Sequence, residues 1–226
     1  GLSQSPNCGP DFGRDFAAAF LGFLALARMG FAIRRDVGRL MIVGATLTLM
    51  GGLGKAVWKL IIAFSEGGID VRVLDNGLFF WMAPGFTLMA YGMSYVKRLT
   101  LNRPLRRDNI WLVPVIAWAV IWVVGIAAAL ARPDSRTWNF IWLGVTSVAQ
   151  LIVSSFAVTQ ALRQGQKPPA ILLIVNFIAV LALTGLARAE RNPTNQWTEQ
   201  IINMCSYAAF AYACHQIAQK CKDKKV

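Results

Sequence analysis

Apolar and polar positions along this chain separate into long blocks instead of alternating residue by residue. Apolar runs cover residues 15–33, 38–64, 74–96, 110–131, 138–162, 169–187 and 200–219, with short polar stretches between them. Each run is near the ~20 residues that a helix needs to cross about 30 Å of hydrocarbon. No run shows the period-2 pattern of a half-buried strand. A helix in lipid closes its backbone hydrogen bonds within its own segment. The pattern therefore predicts an all-α, polytopic integral membrane protein, with seven transmembrane helices forming a single domain over residues 1–226.

Composition agrees with this reading. The chain is 56% hydrophobic and only 15% charged, and its mean hydropathy is +0.48. Ordinary soluble domains are about 25% charged. The first 14 residues are turn-rich and too polar for the apolar core of a signal peptide. The chain begins on Gly1, not Met, which points to processing or to a trimmed chain.

The formal charge of +12 would suit a nucleic-acid partner if it formed one continuous patch. Instead it is distributed between the apolar runs. The stretch Lys97-Arg98-Leu99-Thr100-Leu101-Asn102-Arg103-Pro104-Leu105-Arg106-Arg107-Asp108 joins the third and fourth runs. Lys and Arg beside span ends resist translocation, so this hairpin is expected on the cytoplasmic side. Seven crossings then put Arg28, Arg34, Arg35, Arg39, Arg163, Lys167, Lys220, Lys222, Lys224 and Lys225 on that same side, against Asp36, Asp108 and Asp223. On the opposite side Arg14, Lys55, Lys59, Arg72, Arg132, Arg136, Arg188 and Arg191 are balanced by Asp11, Asp15, Glu66, Asp70, Asp75, Asp134, Glu190 and Glu199. The N-terminus is therefore expected outside and the C-terminus in the cytoplasm, in a plasma or inner membrane. No nucleic-acid partner is expected.

Covalent chemistry finds few supports. His215 is the one histidine, which excludes bis-histidine haem ligation and a multi-histidine metal site. No Walker loop, dinucleotide fingerprint or GxSxG motif occurs, and the seventh run has no lysine before Lys220 for a retinal Schiff base. Cys8, Cys205, Cys214 and Cys221 form no CxxC. No cofactor and no metal are expected.

The most unusual position is Lys55, beyond an apolar run from Leu40 to Gly54, because a charge at a bilayer centre costs at least ~2.5 kcal/mol. Asp75 and Glu199 open the third and seventh runs on the same side. The expected site is thus a ligand pocket in the outer half of the bundle, formed by Lys55, Asp75, Glu199 and Asn203 with Trp58 and Trp81 as walls. The competing explanation has Lys55 and Lys59 snorkelling to headgroups. Trp118 and Trp122, four apart, share one face of the fourth run and meet either packing partners or an apolar ligand. Pro84 and Pro114 lie inside runs, where kinks would open a crevice between the third and fourth.

The two ends of the chain share traces of a repeat. Leu47 to Lys55 is loosely like Leu181 to Arg188, and Ala90-Tyr91-Gly92 like Ala211-Tyr212-Ala213. Spans 1–3 and 5–7 would then be parallel repeats joined by span 4, as in some small transporters. This topology looks like that of the sugar-transporting seven-helix family, although its Pro-Gln signature is absent. In size the chain also resembles fungal membrane terpene cyclases. Val57-Trp58-Lys59 stands where that family carries a Trp-Glu pair, so a lysine replaces the acid. Neither resemblance assigns a family.

The function expected is non-enzymatic: binding of a lipid-like or small amphipathic ligand, or service as an accessory subunit among membrane lipids, other subunits or further copies of itself. The alternatives are an intramembrane enzyme using Asp75 or Glu199 as acid and base, a sensor module continuing past the basic end at 220–226, and a 3+1+3 transporter.

Overall fold

The computed structural model describes residues 11–65, 71–101, 109–131, 137–186 and 193–223. Among these there are seven α-helices and no strand: α1 (Asp11–Ile33), α2 (Arg35–Phe64), α3 (Arg72–Thr100), α4 (Leu112–Ala131), α5 (Thr137–Arg163), α6 (Lys167–Leu186) and α7 (Pro193–Asp223). They occupy the seven apolar runs, and several continue into the polar flanks. Arg35–Lys55 of α2, Leu112–Ala131 of α4 and Trp138–Arg163 of α5 are long and apolar enough to cross a membrane.

The connections are tight. Only Arg34 separates α1 from α2, and its guanidinium pairs with Asp36 at 2.9 Å. Between α5 and α6 the Gly165 N–H donates to Leu162 O at 3.0 Å and the Gln166 N–H to Ala161 O at 2.9 Å. This pair of bonds is a Schellman cap, which needs a left-handed residue at its turn. Gly165 supplies it with φ +70°.

Six helices close a ring in the order α1, α2, α3, α5, α6, α7 and back to α1, while α4 sits outside against α3 and α5. Leu26, Met29, Leu40, Met41, Met89, Met93, Leu173 and Ile217 are fully buried inside. Large apolar residues also cover the outside, including Leu21, Ile42, Leu53, Val123, Leu130, Phe140, Val148, Ile171, Ile178 and Ile201. A monomer in water rarely exposes apolar patches beyond a few hundred Å². Such a surface fits a hydrocarbon surround, in keeping with the three helices that are apolar enough to cross a membrane.

The ring consists of two matching halves. When Arg72 of α3 is placed on Pro193 of α7, their first residues, Gly85 falls on Ser206, Phe86 on Tyr207, Met89 on Phe210, Gly92 on Ala213, Met93 on Cys214 and Val96 on Ile217. All of these are buried except the half-buried Tyr207. Arg35 on Lys167, the first residues of α2 and α6, brings Met41 to Leu173 and Gly44 to Asn176, again buried pairs. Asp11 on Trp138 brings Gly22 to Ala149, Phe23 to Gln150, Leu26 to Val153 and Ala27 to Ser154; only Gln150 among these is less than buried. The packing matches too, because α3 meets α5 as α7 meets α1. These two sets of three helices, α1–α3 and α5–α7, form the halves of the ring, with α4 linking them in the chain.

Their seams differ in chemistry at matching positions. In the first half, a Cβ built on Gly44 would lie 2.6 Å from Gly85 O, so the backbones of α2 and α3 touch there. Small residues permit this close approach in lipid. In the second half, the counterparts are Asn176 and Ser206. The Asn176 amide donates to Ser206 O at 2.8 Å and to Ser206 Oγ at 2.6 Å.

Outside the ring, aromatic side chains fasten α4. Trp122 stacks on Phe80 of α3, with centroids 4.4 Å apart at 14°, and its indole N–H donates to Phe80 O at 3.2 Å. That carbonyl would ordinarily accept from the residue four later, which is Pro84 and has no N–H. Trp122 therefore supplies the bond that the proline removes. The crevice expected beside Pro84 is filled, and Trp118, 4.4 Å from Trp122 between ring centroids, belongs to the same packing cluster.

Candidate functional site

A cavity lies inside the ring, halfway along the helices. It is lined by Phe23 and Leu26 of α1, Phe86 and Met89 of α3, Gln150, Val153 and Ser154 of α5, Asn176 of α6, and Tyr207 and Phe210 of α7. Its volume is about 30 Å³, room for about two waters.

The lining follows from the matched halves. Phe23 and Gln150, Leu26 and Val153, Phe86 and Tyr207, Met89 and Phe210 are counterparts, and both members of each pair line the cavity. The polar groups all come from one half. Gln150, Ser154, Asn176 and Tyr207 belong to α5–α7, whereas their counterparts Phe23, Ala27, Gly44 and Phe86 in α1–α3 carry no polar side-chain atom. One wall offers hydroxyl and amide groups; the other is aromatic and aliphatic, with Phe23 and Phe86 in edge contact at 6.0 Å.

Burial holds the polar wall in place. Ser154, Asn176 and Ser206 are each less than 8% exposed. An unpaired polar group there would cost about 1–3 kcal/mol, and the two bonds from the Asn176 amide avoid that cost on its donor side. The opposite wall is fixed by steric fit, since a Cβ on Gly22 would lie 2.8 Å from the Phe210 ring.

None of the six residues expected to bind ligand lines this cavity. Lys55 and Trp58 lie towards the C-terminal end of α2, half-buried, and each is engaged with a neighbour. Trp81 is half-buried in the cluster that holds α4, 5.2 Å from Phe80 and 6.4 Å from Trp122 between centroids. Asp75 lies on α3, and Glu199 and Asn203 on α7, with side chains outside the described residues. No signal of charge could have revealed the central site, because its groups are uncharged. The available signal was the helix-by-helix register of the repeat.

Cys214 is fully buried, whereas His215 Nε2 meets Gln219 Nε2 at 2.8 Å along the helix. Among the described residues no group of His, Cys, Asp or Glu is arranged to hold a metal.

At one end of the ring two lysines engage neighbouring helices. Lys97 lies over the Phe156 ring at 4.6 Å, and Lys220 donates to Gln164 O at 3.2 Å. Residues 102–108 of the basic hairpin lie outside the described residues.

The chain matches no family model, no curated protein and no solved structure.

Proposed function

We propose that this chain is a seven-crossing integral membrane protein that binds a small, uncharged, amphipathic ligand at the central cavity, whose walls part to admit it, since the cavity as it stands has room for about two waters. One observation carries the reading: a cavity inside the ring, hydrogen-bonding on one wall and apolar on the other. Such a lining discriminates by shape and hydrogen bonding, and it disfavours charge, which costs at least ~2.5 kcal/mol in mid-membrane. Gln150, Ser154, Asn176 and Tyr207 hold the ligand's hydroxyl or amide edge, and Phe23, Phe86, Met89 and Phe210 cover its hydrocarbon.

Orientation follows from charge. The turn at Arg34 and the turn at Gln164–Gln166 face the cytoplasm, as does the C-terminus, and the N-terminus lies outside. The membrane is the plasma or inner membrane. Its lipids cover the outward faces of α4 and the ring, and an additional protein subunit is not required to bury them.

Native mass spectrometry of gently extracted protein tests the site. Wild type is expected to carry a small uncharged adduct, Asn176→Leu to lose it, and Lys55→Leu to keep it. The reverse pattern would move the site to the outer half of the bundle.

A further inference from the structure

We infer that the turn between α5 and α6, with the adjoining end of α7, binds the phosphate of an anionic phospholipid headgroup. Arg163, Lys167 and Lys220 meet the charge, and the lipid's acyl chains lie along α6. The inference rests on the membrane-crossing reading and is independent of the central cavity.

The helix directions first gather the cations at one end of the ring. Only Arg34 separates α1 from α2. A Cβ on Gly44 would meet Gly85 O and one on Gly92 would meet Met41, so α2 and α3 run antiparallel. Arg35 is thereby level with Lys97 and Arg98. Helices α3 and α5 run parallel, since Phe80 meets Trp142 and Lys97 meets Phe156. Helices α6 and α7 run antiparallel, with Asn176 on Ser206 and Gln166 on Gln216. Arg35, Arg39, Arg98, Arg163, Lys167 and Lys220 therefore share one end, and all six are exposed.

Gathered charge suits any cytoplasmic face, but the two turns differ in how it is balanced. At the α1–α2 turn Arg34 is paired with Asp36 at 2.9 Å. Placing Arg35 on Lys167 brings Asp36 to Pro168, so the matching place in the α5–α6 turn carries no carboxylate. Instead Lys220 Nζ donates to Gln164 O at 3.2 Å. This bond brings a cation from α7 to the turn that Arg163 and Lys167 flank. Among the described residues no carboxylate is paired with any of the three. Asp223, three residues beyond Lys220, stands among Lys222, Lys224 and Lys225.

The turn is also open. A Cβ on Gly165 would meet nothing within 4 Å. Ile171 and Ile174, one and two turns beyond Lys167 on the same side of α6, are exposed. A phosphate at the cations thus leaves its acyl chains beside large aliphatic side chains, the order in which a phospholipid presents them. A soluble anion would leave that aliphatic track unused. The cytoplasmic leaflet supplies anionic lipid, and basic pockets between helices on that side suit its headgroups.

Lipid titration read by native mass spectrometry provides the test, on the full chain in detergent micelles. The probes are dioleoyl phosphatidylglycerol and dioleoyl phosphatidylcholine, which share acyl chains and differ in charge. Wild type is expected to bind the first about tenfold tighter or more, and Arg163→Gln and Lys167→Gln each to lose about fivefold. Lys167→Arg keeps the charge and should bind as wild type does. Arg35→Gln, at the equivalent place beside the balanced turn, should leave the preference unchanged. An equal loss in Arg35→Gln would spread the charge round the whole rim and overturn the site. Displacement of the lipid by excess glycerol phosphate or polyglutamate peptide would make the ligand a soluble anion and overturn it too. Equal binding of the two lipids by wild type, with the chain retained in membranes after alkaline carbonate, would overturn this inference alone. Release by carbonate would overturn the membrane-crossing reading with it.

Discussion

Pro84 and Trp122 form the clearest dependency between single residues. The proline removes the N–H that would serve Phe80 O, and an indole from another helix replaces it. Trp122→Phe keeps most of the ring but leaves that carbonyl unpaired, and is expected to cost about 1–3 kcal/mol. Adding Pro84→Ala restores the helix's own donor and should recover much of the loss. Unfolding in mixed micelles measures both variants, and an equal loss with and without Pro84 would contradict the account. Gly165 is a second such position. Its φ of +70° makes Gly165→Ala expected to cost about 1–2 kcal/mol, readable as a lower melting temperature in detergent.

The paired seams are a matter of elements. At Gly44 an added methyl would strike a neighbouring backbone, so Gly44→Ala should separate α2 from α3 and cost about 1–3 kcal/mol. Asn176→Ala, at the matching place on α6, removes a hydrogen bond without a clash. A double-mutant cycle of Asn176→Ala with Ser206→Ala should give a coupling of about 0.6–2 kcal/mol, and zero coupling would mean that the bond does not hold the second seam. The helices themselves were legible in the sequence, because apolar runs of spanning length leave little other choice. The repeat was only half legible. Ala90-Tyr91-Gly92 and Ala211-Tyr212-Ala213 gave the register of α3 on α7, but Leu47–Lys55 against Leu181–Arg188 set α2 and α6 two residues away from the match made by their first residues. Burial, which sequence does not display, corrected it. The pocket at Lys55 was inferred from charge, the most visible property in an apolar chain. The central cavity relies on Asn176, Ser154 and Gln150, residues ordinary enough in a membrane helix to attract no notice.

At the scale of the whole molecule, the proposed seven-crossing topology has the two halves run in the same direction through the membrane. Their parallel relation follows from three helices, one linking helix and three more, with the basic turns of both halves at one end. Arg35 and Lys167 open α2 and α6, are exposed, and occupy equivalent places in the two halves. The most direct measurement is therefore the sidedness of Arg35→Cys and Lys167→Cys, each in the background lacking the native cysteines, with an impermeant maleimide applied to right-side-out and inverted membranes. Both positions are expected to react only from the cytoplasmic face. Reaction from opposite faces would break the equivalence of the halves, and with it the proposed seven-crossing topology.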